Sequence, residues 1–177
     1  MATPDFTDDL RLAHVLADDA DSLTTARFKA LDLHVMSKPD LTPVTDADQA
    51  VEEAIRRTLS RVRSRDAITG EEQGTTGNSQ RRWIVDPIDG TKNFVNGLPV
   101  FACSVGVIHR GEPIAGAIWL PWPAKPEGSV LHARSGAGAF QDGLKLEIPK
   151  ADTPTGNRLV GLPGSFGASF RFKPAMQ

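Results

Sequence analysis

The chain has 177 residues, 40% of them hydrophobic and 24% charged, which excludes a large multidomain assembly and a disordered tract and leaves room for one modest core. Its 20 basic and 22 acidic residues leave a net charge of −2, so nothing in the overall charge attracts nucleic acid or an anionic membrane, and an anionic ligand has to be bound locally. A single cysteine, Cys103, cannot close an internal disulfide, no apolar run approaches the about 18 residues of a membrane-crossing helix, and Met1 to Ala20 carries no leader pattern; the expectation is a cytoplasmic protein.

Leu10, Ala13, Ala17, Ala20, Leu23, Ala26 or Arg27, and Leu31 recur at three and four residues, which predicts a long amphipathic helix capped by Thr7. The segment 37–43, with Pro39 and Pro43, predicts a loop. A second helix is expected from Thr45 or Asp46, with Val51, Ala54, Ile55, Thr58, Leu59 and Val62 inward and Glu52, Glu53, Arg56, Arg57 and Arg61 outward. Beyond Asp66, short apolar segments at 67–69, 82–85, 100–108, 113–120, 130–133 and 144–148 alternate with turn residues and predict strands. The connections at 109–112 and 141–143 have hairpin length, so the fold class is α+β: two N-terminal helices packed on a largely antiparallel sheet. After Ala151 a strand over 158–162 is expected, and Phe166, Phe170 and Phe172 then have no following element to bury them.

The chemistry concentrates in Gly70-Glu71-Glu72 and in the string 83–94, Trp-Ile-Val-Asp-Pro-Ile-Asp-Gly-Thr-Lys-Asn-Phe. Asp86 and Asp89 flank a turn stiffened by Pro87, so both carboxylates can face one side, and the Ile88 carbonyl adds a neutral oxygen. Hard oxygen donors of this kind suit Mg²⁺ or Mn²⁺. Glu71, at the end of another short strand, can reach the Asp86 cluster, and three converging carboxylates repel unless a cation lies between them. Gly90 leaves room for a ligand, the amides of Gly90 and Thr91 can cradle phosphate, and the Thr91 hydroxyl can accept and relay a proton from water. Together these read as metal-assisted phosphoryl hydrolysis.

Plainer readings exist for several of these residues. Asp-Pro-Ile-Asp-Gly alone is equally a turn, Glu71 and Glu72 could be solvated charges, and Asp48 either completes the cap of the second helix or supports the metal site. Lys38 is a loop charge or a phosphate contact. His14, His34, His109 and His132 show no ligand spacing, and Cys103 reads as core.

The long string, with Gly70-Glu71-Glu72, Lys38 and Thr42 to Glu52, and Gly136 to Phe140, resembles the inositol monophosphatase family of metal-dependent, lithium-sensitive phosphatases over roughly residues 8–148. The resemblance implies a layered sugar-phosphatase-like fold in which 1–150 form a metal- and phosphate-binding α+β domain and 151–177 begin an incomplete C-terminal α/β domain. It implies Glu71, Asp86 and the Ile88 carbonyl around one Mg²⁺ (or Mn²⁺) and Asp86 with Asp89 around a second. Glu71, Thr91 and Asp86 are then catalytic, Gly90, Thr91, Lys92 and Asn93 line the phosphate, and Asp48 and Lys38 take supporting or third-metal positions. Li⁺ as inhibitor and a homodimer follow by the same resemblance. Lys92, with the strings 30–33 and 38–43, is similar to the histidinol-phosphate branch, so inositol monophosphate and histidinol phosphate are both open as substrate. The family's Trp-Asp-x-Ala element has no counterpart after Ala151, so a truncated chain lacking one ligand of the second metal is expected, with a non-hydrolysing metal- and phosphate-binding protein as the alternative.

Overall fold

A computed structural model describes residues 5–121 and 128–147. The expectations for 151–177, including the strand at 158–162 and the three terminal phenylalanines, lie outside the described residues, as does Ile148.

Helix α1 (Thr7–Arg27) buries Asp9, Ala13, Leu16, Ala17, Ala20 and Thr24, a stripe rich in small side chains that brings the helix close to the sheet. Three details differ from the sequence reading. Thr7 is not the cap: Phe6 precedes the helix without a side-chain cap, and Asp5 Oδ1 accepts from the Thr7 amide (3.0 Å) and hydroxyl (2.5 Å). Leu23 is 38% exposed and so lies at the edge of the stripe. The helix also ends before Leu31, which is fully exposed, because Phe28 turns extended and Lys29 takes φ +61°. Arg27 clamps this exit, donating to Asp32 Oδ1 (2.9 Å) and to Asp46 Oδ2 (2.7 Å).

The expected loop at 37–43 closes a small antiparallel hairpin, β1 (Val35–Ser37) paired with β2 (Pro43–Thr45). Pro43 is tolerated because it opens a short edge strand. Helix α2 (Asp46–Val62) begins where expected, with Thr45 and Asp48 forming a reciprocal capping box. Its buried face is wider than the apolar pattern: Glu52 is 0% and Arg56 8% exposed, whereas Val62 is 49% exposed.

The main sheet comprises β3 (Ala67–Gly70), β4 (Gly74–Thr76), β5 (Arg81–Asp89), β6 (Ala102–His109), β7 (Glu112–Leu120), β8 (Ser129–Arg134), β9 (Gly138–Gln141) and β10 (Leu144–Lys145), with a short helix α3 (Thr91–Val95) between β5 and β6. Their order is β10-β9-β8-β7-β6-β5-β3-β4. All pairings are antiparallel except β3 with β5, because β4 folds back to the outer edge and β5 returns on the other side of β3. Tight turns at Arg110-Gly111 and Asp142-Gly143, each with two positive φ values, close the hairpins anticipated there.

Alternate residues Trp83, Val85, Cys103, Val105, Val107, Ala117 and Trp119 form one core with the inner faces of α1 and α2. Burial pushes the Cys103 thiol up to about 12, as suits a core residue. On the opposite face Ile84, Ile118, Leu131 and Phe140 border an apolar trough of about 390 Å³. No helix among the described residues is long and apolar enough to cross a membrane.

Candidate active site

β5 carries Trp83 and Val85 into the core and keeps its pairing through Asp86, opposite Ser104. Pairing resumes at Asp89, opposite Ala102, so Pro87 and Ile88 bulge against the single residue Cys103. Pro87 has no N–H to contribute to a ladder, which makes this the place where the strand opens at least cost. Ile88, 1% exposed, pins the bulge into the core. Asp86 and Asp89 are thereby left at the strand mouth, the former half-buried and the latter exposed.

Gly90 follows at φ +94°, and a Cβ there would stand 3.0 Å from the Val100 carbonyl oxygen, so both conformation and space demand glycine. The reversal starts α3: the amides of Asn93 and Phe94 donate to the Gly90 carbonyl at 2.8 and 3.1 Å. Those of Thr91 and Lys92 have no acceptor within the helix. Phe94 fixes α3 to the core, edge-on to Phe101 at 5.0 Å. The side-chain amide of Asn93 donates to the Val100 carbonyl at 2.7 Å, while Asn93, Asp89 and Gly90 border a hollow of about 530 Å³. Lys92 is exposed.

The parallel register sets Gly70 beside Val85, and the Glu71 amide donates to the Val85 carbonyl at 3.1 Å, so the sheet itself delivers Glu71 next to Asp86. From the helical layer, Asp48 reaches the same place. Its Oδ2 accepts from the Thr45 amide (2.8 Å) and hydroxyl (2.5 Å), and its Oδ1 lies 3.1 Å from the Thr91 hydroxyl. The capping and site readings of Asp48 therefore coexist on its two oxygens. The same Thr91 hydroxyl lies 3.0 Å from the Ile88 carbonyl; with one proton, it donates to one of the two acceptors at a time.

Lys38 is no solvated loop charge. Its Nζ lies 2.6 Å from Glu71 Oε1 and 2.7 Å from Glu72 Oε1, and its side chain is only 19% exposed. Burial works against the ammonium, but the bonds to the two glutamates outweigh it and hold the lysine above its ordinary range. Burial raises Glu72, with Lys38 pulling the other way. Glu72 was not among the expected site residues; nor was the pair beneath it, Glu52 and Arg56, which the sequence placed on the outer face.

Burial, and then the negative charges of Glu71, Asp89 and Asp48, push the Asp86 carboxyl from 3.8 up to about 7. Asp86 Oδ1 is buried without a hydrogen-bond partner. Among the described residues no three His, Cys, Asp or Glu groups are close enough together to enclose an ion. The carboxylates stand near enough to repel one another, with Lys38 supplying the local positive charge. An oxygen-only donor set with an orphaned carboxylate oxygen fits a hard divalent cation such as Mg²⁺ and does not suit a soft metal.

Comparison with known proteins places the fold. The sequence pattern of the inositol monophosphatase family matches residues 9–167. The chain is 56% identical over 141 residues to the histidinol-phosphatase of Streptomyces coelicolor, covering 75% of this chain and 53% of that protein. It is 53% identical over 129 residues to the histidinol-phosphatase of Mycobacterium tuberculosis, covering 69% and 50%. Among solved structures, the extragenic suppressor protein suhB of Bartonella henselae superposes with a TM-score of 0.74 at 30% identity, covering 80% of this chain and 55% of that one. An IMPase of Thermotoga maritima gives 0.73 at 29% identity, covering 82% and 55%. The chain spans about half the length of the curated relatives it matches. It belongs to the inositol monophosphatase family.

Proposed function

We propose that this chain carries the cation- and phosphate-binding part of a phosphatase that hydrolyses a small phosphate monoester with Mg²⁺, and that the substrate is histidinol phosphate. The observation that carries the reading is the approach of carboxylates from three separate segments, Asp48, Glu71, and Asp86 with Asp89, near enough for their charges to raise the Asp86 carboxyl, one oxygen of which is buried with no donor. Histidinol phosphate is preferred to inositol monophosphate because two relatives above half identity are named histidinol-phosphatases. In this reading residues 1–150 form the cation and phosphate domain, and 151–177 begin a second one.

Asp86, Glu71 and the Ile88 carbonyl would hold one divalent ion, and Asp86 with Asp89 a second. When bound, the ion neutralises these carboxylates and acidifies the attacking water. Thr91, hydrogen-bonded to Asp48 Oδ1, can pass its own proton to that carboxylate as it takes one from the water, which leaves the hydroxyl neutral, with Glu71 as the further acceptor. The left-handed Gly90 leaves its own amide and that of Thr91 open to phosphate oxygens, Lys92 adds positive charge, and Asn93 steadies the 96–100 turn beside them. No covalent step on the protein is required, since the activated water would itself be the nucleophile, and Cys103 is buried in the core.

The test is phosphate release from histidinol phosphate and inositol 1-phosphate over a range of Mg²⁺ concentrations. Metal-dependent release that is faster with histidinol phosphate, lost in Asp86→Asn and inhibited by Li⁺ is expected. A second reading is a cation- and phosphate-binding protein that does not hydrolyse. Mn²⁺ binding without any metal-dependent release would select it, and failure of the wild type to bind Mg²⁺ or Mn²⁺ would refute both.

A further inference from the structure

Glu52 is fully buried in the flank of α2 and accepts three N–H groups. Its Oε2 takes the Glu72 amide at 2.7 Å, and its Oε1 takes the Gln73 amide at 3.0 Å and Arg56 Nε at 2.7 Å. Arg56 then crosses to β4, donating to the Gly74 carbonyl and, at 3.1 Å, to Thr76 Oγ1. The fit is close: a Cβ at Gly70 would overlap the Glu52 carboxylate, although the backbone at that glycine is ordinary. One helical turn earlier in the same row, Asp48 approaches Thr91 on the other acidic segment.

A buried ion pair adds little net stability over apolar residues of similar size, because desolvation offsets the attraction. Core stability alone therefore gives no reason for a glutamate here. What this carboxylate does, and an apolar side chain could not, is fix two consecutive amides in the turn that bears Glu71 and Glu72. We infer that Glu52, braced by Arg56, is a positioning residue that holds the 71–73 turn so that Glu71 faces Asp86, and that α2 acts through Asp48 and Glu52 as a ruler for the spacing of the two acidic segments. The inference rests on the cation reading given above and adds residues that touch neither cation nor substrate.

The experiment measures Mn²⁺ affinity by electron paramagnetic resonance on the 177-residue chain, with amide hydrogen exchange and thermal melting of the cation-depleted protein, for wild type, Glu52→Gln and Gly70→Ala. Glutamine offers one oxygen where three donors converge, so one donor must face its NH₂ group. Glu52→Gln is expected to bind Mn²⁺ at least tenfold more weakly and to exchange the Glu72 and Gln73 amides at least tenfold faster, while amides of β6 keep their protection. Should that variant fail to fold, Gly70→Ala, which leaves Glu52 in the chain but displaces its carboxylate, is expected to give the same pair of changes. A lowered melting temperature with wild-type Mn²⁺ affinity would show a merely structural role and overturn the inference, as would unchanged exchange at 72 and 73. Absence of Mn²⁺ binding in the wild type, with the exchange changes still present, would instead overturn the cation reading and leave the pair as a turn brace only.

Discussion

Replacing Asp86 by asparagine is expected to stabilise the cation-depleted protein while abolishing its affinity for divalent cations. Burial and the charges of Glu71, Asp89 and Asp48 raise the carboxyl from 3.8 to about 7, so the ionised side chain costs the native state free energy. At about 1.36 kcal/mol per pH unit the full displacement corresponds to roughly 4 kcal/mol. Asp86 is only half-buried, and solvent screening reduces the net cost to about 1–2 kcal/mol. Asparagine removes the charge and offers Glu71 a donor. Between about pH 4 and 7 the native protein retains a proton on Asp86 that the unfolded chain has released, so wild-type stability falls as pH rises through this window. The advantage of the variant should therefore be absent near pH 4, grow toward pH 7 and remain constant above it. For a chain of this length it amounts to an upward shift in melting temperature of about 3–6 °C at pH 8. Thermal melts in chelator from pH 4 to 8, paired with Mn²⁺ titrations at pH 8, decide it. A variant no more stable than wild type at pH 8, or an advantage that does not change with pH, would refute the argument that these carboxylates converge.

Three further outcomes follow from the same geometry. Lys38→Met should weaken the cation-depleted fold by about 1 kcal/mol and tighten Mn²⁺ binding about fivefold, because the ammonium at 2.6 Å from Glu71 competes for the same negative charge; calorimetric titration giving weaker binding would count against this. Gly90→Ala should cost about 2 kcal/mol in urea unfolding, since it combines a backbone at φ +94° with a Cβ 3.0 Å from the Val100 oxygen. Thr45→Ala removes the capping hydroxyl and should cost about 1 kcal/mol, with the m-value unchanged.

The features that could be read from the sequence are those whose causes lie within a few residues. The Thr45 and Asp48 cap, the glycine at 90 and the hairpins at Arg110-Gly111 and Asp142-Gly143 are each set by local conformational preference, and each appears where expected, whereas the turn expected at Pro87 is a bulge inside β5, because the strand resumes its pairing with β6 at Asp89. The errors have non-local causes. Leu31 continued the helical spacing, but the chain leaves α1 at Phe28, where Arg27 is drawn toward Asp32 and Asp46, a contact across nineteen residues in the latter case. The parallel pairing of β3 with β5 was hidden because strand spacing alone favours antiparallel neighbours, yet this pairing brings Glu71 beside Val85 and hence beside Asp86.

Glu52 and Arg56 were misplaced for one reason: a charged residue is assigned to solvent unless its partner is visible, and beyond their own pairing the partners here are the Glu72 and Gln73 amides for Glu52 and the Gly74 carbonyl and Thr76 hydroxyl for Arg56, some twenty residues away. Lys38, which the sequence left between a loop charge and a supporting site residue, meets Glu71 and Glu72. The acidic residues themselves announce the chemistry through their types and spacing. The groups that hold them in position are recruited by tertiary contact, and only periodicity offered a hint, since Asp48, Glu52 and Arg56 share one row of α2 that continues the buried stripe of Val51, Ile55 and Leu59. A charged row adjoining an apolar stripe, facing a strand-end glycine followed by two glutamates, is thus a sign that a helix is being used to set a site as well as to cover a sheet.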